Sequence, residues 1–181
     1  MSTGPILNTL ASAYAFTIVE ALSSSSIPQF DVLFGPAYKG IPIAACTSLV
    51  LHSTHNISVG LAYDRKEAKD HGEGGRMVGV SVKGKKVLIL DDVMTAGTAV
   101  RQAIDLVQNE GGQVIGVVQC LDREEVGQSQ MSTVAEIEGI VGVGAVKSIL
   151  KMRDLMLWLE TNQKKAELDS MQKYRDSWST K

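Results

Sequence analysis

Apolar positions recur along the chain with two periods, near 3.6 and near 2, and the switches between them predict a succession of helices and strands. Residues 7–22 carry a helical apolar pattern that a serine run at 23–26 and Pro28 break. A short strand over 30–34 ends at Gly35-Pro36. A second helix starts near Gly40 and runs through Ile43, Ala44, Ala45 and Leu49, and a strand follows over 57–63. After a polar, glycine-rich stretch, the apolar runs 78–82 and 87–90 flank Gly84-Lys85-Lys86 in the manner of a hairpin. Ala99, Val100, Ala103, Ile104 and Val107 fall at helical spacing up to a stop at Gly111-Gly112, and 113–121 is another buried strand. One more apolar segment covers 140–146. A last helix is expected from about Ser148 past Trp158, with Leu155, Leu157, Trp158 and Leu159 on its buried side. From Gln163 to Lys181 the chain turns polar, as a fraying helix end or tail, so the domain is expected to cover 1–162 with 163–181 outside it. No internal repeat is visible. The alternation predicts an α/β fold with a mostly parallel central sheet flanked by helices.

The chemistry concentrates in Val87-Leu88-Ile89-Leu90-Asp91-Asp92-Val93-Met94-Thr95-Ala96-Gly97-Thr98. Four apolar residues in a row suit a strand buried on both faces, and the loop after such a strand lies where open α/β sheets bind ligands. Thr95 to Thr98 then stand at a helix N-terminus, whose unpaired N–H groups and dipole favour a phosphate. Asp91 and Asp92 would repel that phosphate unless they accept hydrogen bonds from neutral groups, and ribose hydroxyls are natural candidates. A ribose 5-phosphate is therefore the expected ligand. The plainer alternative is a buried strand ending in solvated acids before an ordinary helix cap.

Composition narrows the picture only a little. The 181 residues suit one domain, 44% apolar content fills a core, and a net charge of −2 gives no reason to expect nucleic-acid binding. Neither a membrane-spanning stretch nor a signal-type N-terminus is expected, which makes the cytoplasm the default location. Cys46 and Cys120 lack metal-ligand spacing and read as reduced core thiols. His52 and His55 have no third ligand candidate nearby, and Gly142-Val143-Gly144 lacks the third glycine of a dinucleotide fingerprint, so it reads as core backbone.

Residues 63–76 hold Arg65, Lys66, Lys69 and His71 and have no apolar face to bury. That composition describes a mobile surface loop, either salt-bridged and solvated or used by a polyanion. Beside a ribose-phosphate site, such a loop is suited to bring cations to a departing pyrophosphate and to exclude water.

The 87–98 stretch resembles the 5-phosphoribosyl-1-pyrophosphate (PRPP) motif of type I phosphoribosyltransferases, in which apolar residues precede two acids and a T-x-G-T-like loop. With it, Phe34-Gly35-Pro36-Ala37-Tyr38-Lys39-Gly40-Ile41-Pro42, the run from Arg65 through Lys66, Lys69 and His71 to Gly75, and Leu121-Asp122-Arg123-Glu124 resemble the orotate phosphoribosyltransferase family. The resemblance implies that Tyr38 and Lys39 contact the PRPP diphosphate, that Asp91 and Asp92 hold the ribose hydroxyls, and that Thr95, Ala96, Gly97 and Thr98 take the 5-phosphate. Val93, Met94 and Ala99 flank that cradle. It further implies a homodimer in which the 65–75 loop reaches the partner's site, so that Arg65, Lys66, Lys69 and His71 join its phosphate contacts. Lys69 and His71 would then have the largest catalytic effects. His71 would act as a proton donor or simply as a charge. Thr95 and Arg123 would contact orotate, Arg123 through its carboxylate, although an arginine there also pairs readily with Asp122 or Glu124. Mg²⁺ is implied with the diphosphate, with no protein ligand assigned to it.

The implied reaction is transfer of ribose 5-phosphate from PRPP to orotate, giving orotidine 5′-monophosphate and pyrophosphate in pyrimidine biosynthesis. One departure from the family is expected to matter. The family's N-terminal segment, with a lysine near Ser-Gly and an aromatic pair, has no counterpart before residues 7–22, which implies an incomplete hood over the base. Apolar surface would then be exposed, with lower stability or tighter reliance on the dimer. Two alternatives remain open: a non-catalytic PRPP-binding or regulatory relative, and a phosphoribosyltransferase acting on another base.

Overall fold

The apolar run 87–90 lies in the middle of a six-stranded sheet whose strands, numbered along the chain, stand in the order 3-2-1-4-5-6. In a computed structural model the elements follow as α1 (Gly4–Ser23), β1 (Val32–Gly35), α2 (Gly40–His55), β2 (Gly60–Lys69), β3 (Gly75–Gly79) and β4 (Lys86–Val93). They continue with α3 (Thr98–Asn109), β5 (Gln113–Asp122), α4 (Thr133–Val141), β6 (Val146–Lys151), α5 (Met152–Thr161) and α6 (Lys165–Trp178). The structure describes residues 3–69, 75–127, 129 and 131–178. Every strand pair is parallel except β2 with β3.

Strand alternation sorts the core into two layers. Leu33, Leu88, Leu90 and Val118 point to a face covered by Tyr14, Ala15 and Ile18 of α1 and Ile43, Ala44 and Leu51 of α2. Val32, Phe34, Val87 and Ile89 point the other way, toward Val100, Ala103, Ile104 and Val107 of α3 and Ile137 of α4. Burial on both faces explains why β4 has no polar position between Lys86 and Asp91.

Several expectations need correction. The hairpin around Gly84 does not form. Runs 78–82 and 87–90 are not partners, because both edges of β4 are taken by the parallel strands β1 and β5. Instead β3 folds back on β2, pairing Ala62 with Gly79 and Tyr63 with Val78, while Val82 drops into the core without joining a strand. The arms of the expected 63–76 loop are thus ladder-bonded strands, β3 at the sheet edge and β2 beside it. Residues 148–151 belong to β6, and the helix after them begins at Met152. Its buried side is Met152 and Met156, one turn apart. Leu157 and Trp158 remain 63% and 57% exposed, since the four residues expected there do not share a face at 100° per residue.

The polar tail is a separate helix, α6, rather than a frayed end. Its partly buried Leu168, Met171 and Tyr174 recur every three residues on the side turned inward. Gly142-Val143-Gly144 is an exposed turn between α4 and β6, not core backbone, with both glycines at positive φ and Val143 94% exposed. The expectation that no stretch is long enough to span a bilayer also needs amending. At 20 residues and a mean hydropathy of 1.3, α1 is the one helix among the described residues that passes by length and composition. Its Ala11, Tyr14, Ala15, Ile18 and Ala21 are buried as one side of a core helix.

Candidate active site

The strand order reverses between β1 and β4, and the C-terminal ends of these two strands open the crevice in which α/β sheets bind ligands. Gly35 and Gly40 let the start of α2 pack against both ends. A Cβ on Gly35 would stand 2.3 Å from Gly40 O, and one on Gly40 would stand 2.9 Å from Leu90 O. Between them, residues 36–39 form a tight loop whose Ala37–Tyr38 peptide bond is cis. The Ala37 N–H donates to Asp64 Oδ1 at 2.6 Å, so a carboxylate of β2 pins this loop to the hairpin. Tyr38 is exposed, and Lys66 Nζ sits 4.9 Å from its ring centroid, within reach of a cation–π contact.

The two acids at the end of β4 have different surroundings. Asp91 is buried, and that burial pushes its carboxyl up to about 6, opposed by the Asp92 N–H that donates to Oδ1 at 2.9 Å. Its backbone carbonyl accepts the Tyr14 hydroxyl at 2.6 Å, fastening the strand end to α1. Asp92 is more open and pairs with Lys39 Nζ at 2.6 Å. That hydrogen bond raises the Lys39 ammonium above its ordinary value. The structure therefore brings Tyr38, Lys39, Lys66, Asp91 and Asp92 to one crevice.

Beyond Asp92 the chain turns into α3 through Gly97, whose φ of 73° lies in the left-handed region. No side-chain hydrogen bond caps this terminus among the described residues, so the first N–H groups of α3 face a cavity of about 230 Å³. Asp91, Val93, Met94, Thr95, Gly97, Thr98 and Ala99 line it. Two polar side chains brace the loop from behind. Gln119 Oε1 accepts from Met94 N at 3.1 Å, and Thr133 Oγ1 donates to Thr95 O at 2.5 Å. Arrangement and dipole together make a phosphate cradle next to a pair of hydroxyl acceptors.

Arg123 follows β5, one strand over, and pairs with neither Asp122 nor Glu124. Its Nη1 donates to Glu125 Oε1 and to the Tyr174 hydroxyl, each at 3.0 Å. Arg65 contributes its carbonyl to Arg76 Nε at 3.3 Å. His71, the 70–74 tip and the Lys69 side chain lie outside the described residues. Both cysteines are free and half-buried, and burial raises the Cys120 thiol. Sequence reasoning missed Tyr14, Asp64, Gln119 and Thr133. Only Gln119, a lone polar residue inside an apolar strand, carried a local signal.

A crevice at the strand reversal, with two acids beside a helix N-terminus that no side chain caps among the described residues, has the chemistry to suit a phosphorylated sugar. The phosphoribosyl transferase domain family matches residues 10–144, and the chain belongs to that family. Its relatives narrow the class. The orotate phosphoribosyltransferase of Acinetobacter baumannii (strain ACICU) is 44% identical over 178 residues, spanning 98% of this chain and 79% of the relative. That of Aeromonas salmonicida is 46% identical over 152 residues, spanning 81% and 69%. The crystal structure of the Francisella tularensis orotate phosphoribosyltransferase matches with a TM-score of 0.81 and 34% identity, over 98% of this chain and 82% of that one. Within the family the chain therefore falls among the orotate phosphoribosyltransferases, pentosyltransferases of pyrimidine biosynthesis (EC 2.4.2.10).

Proposed function

We propose that this chain transfers ribose 5-phosphate from PRPP to a ring nitrogen of orotate, with the crevice residues in the following roles. Asp91 and Asp92 accept hydrogen bonds from the ribose hydroxyls, and the 95–98 cradle with the N-terminus of α3 takes the 5-phosphate. The adjacency of these acids to that uncapped terminus is the observation that carries the reading. Lys39 now neutralises Asp92. It exchanges that partner for the diphosphate when ribose hydroxyls take over the carboxylate. Tyr38 and Lys66 join the diphosphate contacts, and Arg65, Lys69 and His71 complete them in the site of the partner subunit of a cytoplasmic homodimer. Arg123 receives the carboxylate of orotate.

The difficult step breaks the bond from the anomeric carbon to the diphosphate, leaving positive charge on the ribose ring and negative charge on the leaving group. Residues that fix both ends of PRPP lower this barrier by positioning and electrostatics, without a covalent intermediate. The donor set suits Mg²⁺ arriving with the diphosphate. Asp91 and Asp92 are hard oxygen donors, and among the described residues no group of three or more His, Cys, Asp or Glu stands ready to cage an ion. Bound there, the ion would neutralise charge on the diphosphate. A purely PRPP-binding role has no observation in its favour.

Calorimetric titration of PRPP into the wild-type chain and Asp92→Asn tests the assignment. Loss of charged hydrogen bonds to ribose is expected to weaken binding about 10- to 100-fold. Equal affinities would overturn it.

A further inference from the structure

Helix α6 lies far along the chain from the crevice residues, yet it holds the guanidinium assigned to the base. Arg123 Nη1 donates to the Tyr174 hydroxyl, that hydroxyl donates to Glu125 Oε1, and the same oxygen accepts from Arg123 Nη1. A closed triangle results, with the guanidinium 6.0 Å from the Tyr174 ring centroid. The Trp178 carbonyl accepts from Val126 N at 2.9 Å, so α6 is fastened to the segment after Arg123 at a second point. The triangle is only partly open to solvent, with the Arg123 and Glu125 side chains 35% and 12% exposed.

Both bonds from Arg123 use Nη1. Among the described residues nothing engages Nη2 or Nε, which leaves the other edge of the fork free for a planar carboxylate. Arg123 is also felt, weakly, at the crevice residue Lys39. Its charge opposes, at Lys39, the upward push that the Asp92 carboxylate exerts. Without the Tyr174 hydroxyl, Glu125 would lack one donor, and the guanidinium would be free to turn its Nη2 edge onto that carboxylate as a bidentate pair. The free edge would then be closed by an internal anion.

We propose that Tyr174 is a positioning residue for base recognition: with Glu125 it holds one edge of Arg123 so that the other meets the substrate carboxylate. The proposal rests on the assignment of Arg123 to orotate. It makes α6 part of the specificity apparatus.

Steady-state kinetics on the full chain, Tyr174→Phe and Arg123→Ala test it, varying orotate at saturating PRPP and then PRPP at saturating orotate. Tyr174→Phe is expected to raise KM for orotate about tenfold, the scale of one hydrogen bond, with kcat, KM for PRPP and Tm nearly unchanged. If Arg123→Ala raises KM for orotate while Tyr174→Phe does not, the positioning role fails and the Arg123 assignment stands. If Arg123→Ala leaves KM for orotate unchanged, the assignment fails and takes the proposal with it. A parallel rise in both KM values with a lower Tm would mark Tyr174 as merely structural and overturn the proposal.

Discussion

Replacing Tyr14 with Phe removes one oxygen atom from the interior and tests whether α1 braces the acids proposed to bind ribose. The side chain is fully buried, and its hydroxyl donates to the Asp91 carbonyl at 2.6 Å across 77 positions of sequence. Burial, then the nearby Cys120, Asp91 and Asp92, hold the phenol well above its ordinary pKa, so it stays a donor throughout the working range. Phe keeps the ring among Ile18, Leu88 and Leu90 and opens almost no cavity. The loss is then one buried hydrogen bond, about 1–2 kcal/mol. For a chain of this length that corresponds to a fall in Tm of about 2–8 °C. Because the bond fixes the backbone beside an acid proposed to bind ribose, PRPP affinity should fall with it, about threefold. Urea unfolding supplies the stability and isothermal titration the affinity. An unchanged midpoint would refute the brace. A loss above about 4 kcal/mol would also refute it, since only cavity formation or a rearranged core reaches that size.

Three further outcomes follow from the same geometry. The raised Asp91 carboxyl, at about 6, takes up a proton on folding between about pH 4 and 6, so its stability contribution is present at low pH and lost as pH rises through 6. PRPP affinity in metal-free buffer should run the opposite way, falling as pH drops through 6, and Asp91→Asn should flatten both trends. Gly97→Ala places a Cβ 3.1 Å from Thr133 Cγ2 at a φ of 73°, and should cost about 1–2 kcal/mol in urea unfolding while weakening inorganic phosphate binding. Thr133→Val removes the bond to Thr95 O and should raise KM for PRPP about fivefold in steady-state kinetics.

What the sequence made legible was the part written locally. An unbroken apolar run has to be a buried strand, and acids followed by small residues before a helical repeat have to be a strand end meeting a helix N-terminus. That reasoning located β4, α3 and the cradle between them. Pairing across distance was hidden. Gly84-Lys85-Lys86 has the composition of a hairpin turn, but whether 78–82 pairs with 87–90 depends on whether β1 and β5 occupy β4's edges. The half-exposed strand β6 mixes Lys147, Ser148 and Lys151 with its apolar residues, so it merged with the helix after it. At the site, Tyr14, Asp64 and Thr133 act through hydrogen bonds to backbone groups 27 to 77 positions away, which no local spacing announces. Tyr174 is hidden for the same reason, 51 positions from Arg123.

The central claim is that this chain consumes orotate at the crevice between β1 and β4. Its most direct test is the loss of orotate in the presence of PRPP and Mg²⁺ by the full chain, with Lys69→Ala as the comparison and PRPP binding followed in the same preparation. Turnover is expected from the wild-type chain, with a fall of at least about 100-fold in Lys69→Ala while PRPP still binds. PRPP binding without any orotate loss in the wild-type chain would contradict it.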